Sequence, residues 1–204
     1  MAEGIFVDGM QAPPRQRILA AATKLFYRHG IRAVGVEAIA EAACTNKMTL
    51  YRHFASKEVL VAEYLREVAR AADRCWERIA QQHPGDPRAQ LLAWLENMAG
   101  DLLDPEGRGC ALANAAIELP ERDHPARRVI EEFKRAQSLQ LIRLGEQAGV
   151  SEPDVLADEL HLLLEGARVA AQSVGTEGLA ERVLYMGKAM IAAHTREVGR
   201  PGAA

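Results

Sequence analysis

The stretch VEAIAEAACTNKMTLYRHFASKE, residues 36–58, constrains the fold more than any other part of the chain. Its apolar residues recur at helical steps, but in two short runs. Val36, Ile39 and Ala40 make one face over 36–43. Leu50 and Phe54 then lie four apart in a run that begins at Lys47. Asn46 is a good N-cap for this second run, and Ser56 caps another helix directly after it. Only Cys44, Thr45 and Asn46 separate the two short helices, which is helix-turn-helix spacing. The second helix is too short to be a stable element alone. It makes sense as a platform whose inner face, Leu50 and Phe54, is anchored by neighbours.

The remaining chain supplies those neighbours as helices. Pro13 and Pro14 suit a first turn, and Ile18, Ala22, Leu25 and Phe26 follow at helical spacing. Arg28 and His29 then face the negative end of the dipole, and Gly30 offers a left-handed cap. After Ser56 a long helix is expected to about Gln82, with Val61, Tyr64, Leu65, Val68, Ala72, Cys75, Trp76 and Ile79 on one stripe. Five more helices are expected at about 87–103, 109–119, 125–148, 152–174 and 177–198. The breakers HPGDP, DPEGRG, LPERDHP, GVSEP and VGTEG separate them. In 125–148 the residues expected inside are Val129, Phe133, Ala136, Leu139 and Leu141. No strand pattern competes, so the fold class is all-α.

Composition narrows the function. Residues 1–60 carry eight basic and five acidic side chains, whereas the remainder carries 17 and 23. A basic head on an acidic body suits a polyanionic partner at the head. No apolar run approaches the ~18 residues of a membrane span. The opening MAEGIFVDGMQAPP lacks the basic flank of a signal peptide. Cys44, Cys75 and Cys110 are odd in number and far apart, with no C-x-x-C pair. Reduced thiols and a cytoplasmic location are therefore expected, with no membrane partner. No catalytic constellation or phosphate-cradling glycine loop is present, so no enzyme and no cofactor are expected. Glu118, Glu121, Asp123 and His124 invite a metal reading, but they form a polar loop with no second ligand cluster.

The platform itself carries chemistry for DNA. Its N-terminus offers free amides and a positive dipole to phosphate, and Thr45 and Asn46 add polar groups there. Tyr51 presents a hydroxyl on a rigid ring. Lys57 opens the next helix, where the dipole disfavours a cation unless an anion is near. Lys47 and Thr49 are the candidates for base edges, Lys47 toward guanine O6 or N7. Thr45, Tyr51 and Lys57 are candidates for phosphate, and His53 for either. Met48 either touches a thymine methyl or fills space. Arg15 and Arg17 suit the DNA backbone or a solvated face equally.

These residues carry a resemblance. VEAIAEAACTNKMTLYRHFASKEVLVAEYL is similar to the DNA-binding head of the TetR family of transcriptional regulators, most clearly at TLYRHFASKE. The resemblance covers about 13–65, and RGCALANAAIELPERDHPARR is similar to a stretch in some members. One departure stands out: the turn usually carries Gly where this chain has Cys44, which puts a non-glycine residue in a left-handed or tight turn.

The resemblance implies a homodimer that binds a double-stranded DNA operator and is released by a small-molecule effector. Its parts would be an arm at 1–12, a helix-turn-helix domain at 13–56, a ligand-binding and dimerisation domain at 57–198, and a tail at 199–204. Around an implied cavity would lie Trp76, Trp94, Met98, Leu102, Cys110, Asn114, Ile117, Glu118, Phe133 and Gln137. Asn114 and Glu118 stand four apart on an otherwise apolar helix, which suits orienting a ligand or satisfying backbone. His161, Glu165, Arg168 and Gln172 make a polar stripe that lines the pocket, pairs across subunits or faces solvent. The last two helices would pair with their mates through Leu160, Leu164, Ala167, Ala171, Val183, Met186 and Met190. Two other functions stay open at this point: an architectural DNA-binding protein without effector, and a thiol-responsive regulator using Cys110.

Overall fold

The computed structural model describes residues 12–104 and 107–195. The arm expected at 1–12, apart from Ala12, and the tail at 199–204 lie outside the described residues. Those residues hold nine α-helices and no strand. The helices are α1 Pro14–His29, α2 Val36–Ala42, α3 Lys47–His53, α4 Lys57–Gln82, α5 Pro87–Gly100, α6 Ala111–Glu118, α7 Pro125–Gln147, α8 Pro153–Val174 and α9 Leu179–Thr195. A single 3₁₀ turn, Asp101–Leu103, follows α5. The spacing thus predicts every helix, with ends off by a few residues where caps are weak.

Two compact units form. The first combines 12–72 with 110–133, and the second combines 73–109 with 134–195. α4 and α7 each contribute to both.

In the first unit, Ile18, Ala22 and Phe26 of α1 are buried at steps of four. They share one apolar cluster with Ile39, Ala40, Leu50, Phe54, Leu60 and Leu65. Phe26 and Tyr64 rings meet at 5.6 Å. The same cluster takes Leu112, Ala115 and Leu119 from α6 and its end, and Ala126, Val129 and Ile130 from α7. Gly30 ends α1 at φ +86° and donates its N–H to the Phe26 carbonyl at 3.0 Å. A side chain there would be strained in φ and would press on the Glu118 carboxylate, 3.0 Å from an added Cβ.

The second unit is built on α5, α8 and α9 with the later parts of α4 and α7. Leu91, Trp94 and Leu95 pack with Leu156, Leu160, Leu164 and Ala167 of α8 and with Val183 and Ile191 of α9. Gly187 lets α9 come close to α5: an added Cβ would fall 2.6 Å from a Leu95 methyl.

Two expectations need correction here. Leu160, Leu164, Ala167 and Val183 are buried within the protomer itself, so they have no surface left for a mate. Ala171 and Met190 are half-buried, and Met186 is exposed. The outward apolar residues of these helices are Val155, Leu162 (75% exposed), Val169, Val174, Tyr185 (78%) and Met186. On α7, Ala136 and Leu139 face outward, while Gln137, Leu141 and Leu144 are buried. The inward stripe runs 130, 133, 137, 141 and 144, and a residue two positions off that phase turns to the opposite side.

Candidate nucleic-acid interface

The turn between α2 and α3 is held by backbone bonds in the pattern of a Schellman motif. Thr45 N–H donates to the Ala40 carbonyl and Cys44 N–H to the Glu41 carbonyl, each at 2.9 Å. This closure needs a left-handed residue at its centre. Cys44 takes it, at φ +50°, and is the only non-glycine residue with positive φ among the described residues. An L side chain in that region costs roughly 1 kcal/mol. Cys44 is exposed and buries nothing in return. Cys44→Gly should therefore stabilise the protein by about 0.5–1 kcal/mol. Paired thermal melts check this; an unchanged or lower midpoint would mean that the turn is unstrained.

One residue later the chain enters α3. Asn46 is extended, and its Oδ1 accepts from the Thr49 N–H at 2.9 Å, fixing the first turn. Leu50 and Phe54 lie in the apolar cluster, both essentially without exposure. Their burial turns the opposite face outward. Asn46, Lys47, Met48, Tyr51 and Arg52 are exposed, Met48 at 85%, and Thr45 and Thr49 are half-buried beside them. Between Ala42 and Lys57 the chain carries no acidic residue.

The charged groups are more ordered than the sequence suggests. Lys47 Nζ donates to Glu37 Oε1 of α2 at 2.6 Å. That hydrogen bond holds the Lys47 ammonium above the ordinary lysine range and Glu37 below the ordinary glutamate range. Lys57 is half-buried with its ammonium over the Phe26 ring, 5.9 Å from the centroid. Burial pulls its pKa down, and the charges of Glu58 and Glu118 oppose that. His53 is half-buried, and its Nε2 is buried with no hydrogen-bond partner among the described residues. Its display toward a ligand is correspondingly reduced. Arg15 lies over the Phe54 ring at 5.0 Å and pairs with Glu63 at 3.2 Å, which gives it a structural job. The Arg17 Nε is buried. Sequence reasoning missed Glu37, whose one signal was an acid in the first turn of α2.

The residues expected to line an effector pocket fall into both units. In the second, Trp76 and Trp94 stack with centroids 5.7 Å apart and planes 5° from parallel. Trp76 Nε1 donates to Gln137 Oε1 at 3.3 Å. The His161 ring stands edge-on to Trp94 at 6.3 Å. Burial and the Lys134 charge push His161 below its ordinary range. Glu165 accepts from Lys134 at 2.6 Å and from Arg168 at 3.1 Å. Burial opposes its ionisation, but these two cations prevail and hold the carboxyl low. Arg168 also reaches Met98 Sδ at 3.5 Å. Four predicted residues, Trp76, Trp94, Met98 and Gln137, are thus brought together with the polar stripe of α8.

Cys110, Asn114, Glu118 and Phe133 belong to the first unit instead. Cys110 precedes α6 as its N-cap residue, half-buried like Asn114. Phe133 packs against the first unit's apolar cluster. Glu118 is occupied: its Oε2 accepts the Arg32 backbone N–H at 3.0 Å. Glu121 takes the Arg32 guanidinium at 3.3 Å. Glu118 therefore satisfies backbone at the end of α1, the bland alternative for an acid on an apolar helix. The described residues contain no cluster able to hold a metal and no helix long and apolar enough to cross a membrane.

Residues 18–64 match a family model described as bacterial regulatory proteins of the tetR family. Among characterised sequences, the chain is similar to the HTH-type transcriptional regulator UidR of Escherichia coli. The two are 38% identical over 97 residues, which are 46% of this chain and 50% of that one, so the match spans about half the length of that relative. Among solved structures, a TetR-family transcriptional regulator from Streptomyces coelicolor superposes with a TM-score of 0.84 at 27% identity, over 90% of this chain and 96% of that one. A putative Tet-R regulator from Streptomyces avermitilis superposes at 0.75 with 31% identity, over 90% of this chain and 98% of the other.

Proposed function

Since the chain belongs to the TetR family of bacterial regulatory proteins, we propose that it is a transcriptional repressor released from a palindromic operator by a small-molecule effector. The observation that carries the reading is the outer face of α3. Lys47, Met48, Thr49 and Tyr51 stand on a seven-residue helix locked from beneath by Leu50 and Phe54 and at its start by Asn46. Such a helix enters a major groove, and its N-terminal residues meet the base edges. Thr45 and Tyr51 then serve as phosphate contacts, with Lys57 as a more recessed cation beside them.

The repressor acts as a homodimer in the cytoplasm, without catalytic activity. Leu162, Val169, Tyr185 and Met186 support a second copy, because monomers rarely leave so much apolar surface on neighbouring helices uncovered. In this reading 13–56 meets DNA, and 57–198 provides the effector site and the mate. The effector site is centred on Trp76, Trp94, Met98 and Gln137, where stacked indoles and a few polar groups suit a small organic molecule. Release requires that the effector bind the conformation unfit for DNA more tightly.

The test is selection of bound duplexes from a random library by the purified protein at physiological salt. The expected result is a palindrome with half-sites one helical turn, ~34 Å, apart. A pool without enrichment would rule out sequence-specific regulation. With the operator in hand, effectors are found by loss of the complex. Because the chain's two tryptophans are the stacked pair, their fluorescence reports occupancy of the proposed site directly.

A further inference from the structure

We propose that Glu37 is a specificity-determining residue, which holds the Lys47 ammonium for base edges and keeps it from phosphate. The inference rests on the reading of α2 and α3 as a DNA-binding element. Its ground is the 2.6 Å contact between Lys47 Nζ and Glu37 Oε1, at the first residue of α3 and in the first turn of α2. Both side chains lie on the solvent side, 54% and 68% exposed. An isolated exposed pair adds little to folding stability, so stability does not account for it.

Nor does general attraction to DNA, because a carboxylate beside the recognition face repels phosphate. What the pair does is restrict Lys47. An ammonium has three donors, and one is spent on Glu37. The other two can reach O6 and N7 of a guanine while the pair stays intact. A phosphate on Lys47 would instead place two anions side by side. The second Glu37 oxygen is left to accept from the exocyclic amine of a cytosine, which also favours a G·C step over the backbone. From Ala42 to Lys57 the chain carries no acid, and of the two acids of α2 it is Glu37 whose carboxylate meets Lys47.

The test compares wild type, Glu37→Gln, Lys47→Gln and the double variant, each binding the selected operator and a random duplex of equal length between 50 and 200 mM salt. Glu37→Gln should bind the random duplex several-fold more tightly. Its salt dependence should steepen by about one counterion per protomer. Its preference for the operator should drop roughly tenfold. In the Lys47→Gln background the Glu37 substitution should raise affinity for both duplexes alike and leave the operator preference unchanged, since the preference passes through the lysine. Circular dichroism verifies the helices in each case. Unchanged preference and slope in Glu37→Gln would overturn the inference, as would equal weakening on both duplexes, which would make Glu37 a structural residue of α2. A wild type that selects no sequence would overturn the reading of sequence-specific DNA binding and this inference with it. A selective wild type with an equally selective Glu37→Gln overturns this inference alone.

Discussion

Phe54→Ala should cost about 3–5 kcal/mol, a large part of the 5–15 kcal/mol that holds a domain of this kind together. Phe54 is 1% exposed in the cluster shared by α1, α3, α4 and α6, and its ring also seats the Arg15 guanidinium. Truncation leaves a cavity that these helices cannot close without losing their contacts with Leu50 and Phe26. Urea titration followed by helical circular dichroism should show the midpoint falling sharply, and operator binding should be lost near physiological temperature. Met48→Ala provides the contrast: at 85% exposure it should leave stability within about 0.5 kcal/mol. If Phe54→Ala unfolded no more readily than Met48→Ala, α3 would not be anchored as described.

The second large effect is on recognition. Lys47→Ala should lower affinity for the selected operator roughly ten- to a hundredfold per half-site, with the loss concentrated at one guanine. Substituting that guanine in the operator should then cost the variant almost nothing. The measurement is a binding matrix of two proteins against operators changed one base pair at a time. A loss spread evenly over all duplexes would assign Lys47 to phosphate and remove the guanine contact from the reading.

How much of this could be read from residue order depends on how far apart the partners lie. The α2–α3 turn could be read almost entirely, because a cap, a short spacing and a pair of apolar residues are local signals. Asn46 caps the helix it was expected to cap, and Cys44 adopts the left-handed backbone that its place in the turn required. Glu37 was missed because its partner sits on the next helix, and a salt bridge between exposed side chains leaves no periodicity. Glu118 read as a pocket residue because its acceptor role depends on the backbone of Arg32, 86 positions away. Leu160 and Leu164 show a third limit. Apolar periodicity tells that a face is covered, but not whether by α5 and α9 of the same chain or by a second molecule. On α7 the pattern admitted two phases, and Gln137 took the buried position that Leu139 was expected to share.

The membership of the first apolar cluster has a consequence for anyone who would recombine such regulators. Leu112, Ala115, Leu119, Ala126, Val129 and Ile130 come from the middle of the chain, yet they finish the core that steadies α3. Cutting after α4's first turns and grafting a foreign sensor would strip those six side chains from the cluster that α3 shares and leave that cluster open to water. A transplantable cassette is therefore discontinuous: residues up to 72 travel with 110–133, and a chimera that respects this partition inherits a finished core where a simple N-terminal splice inherits a hole.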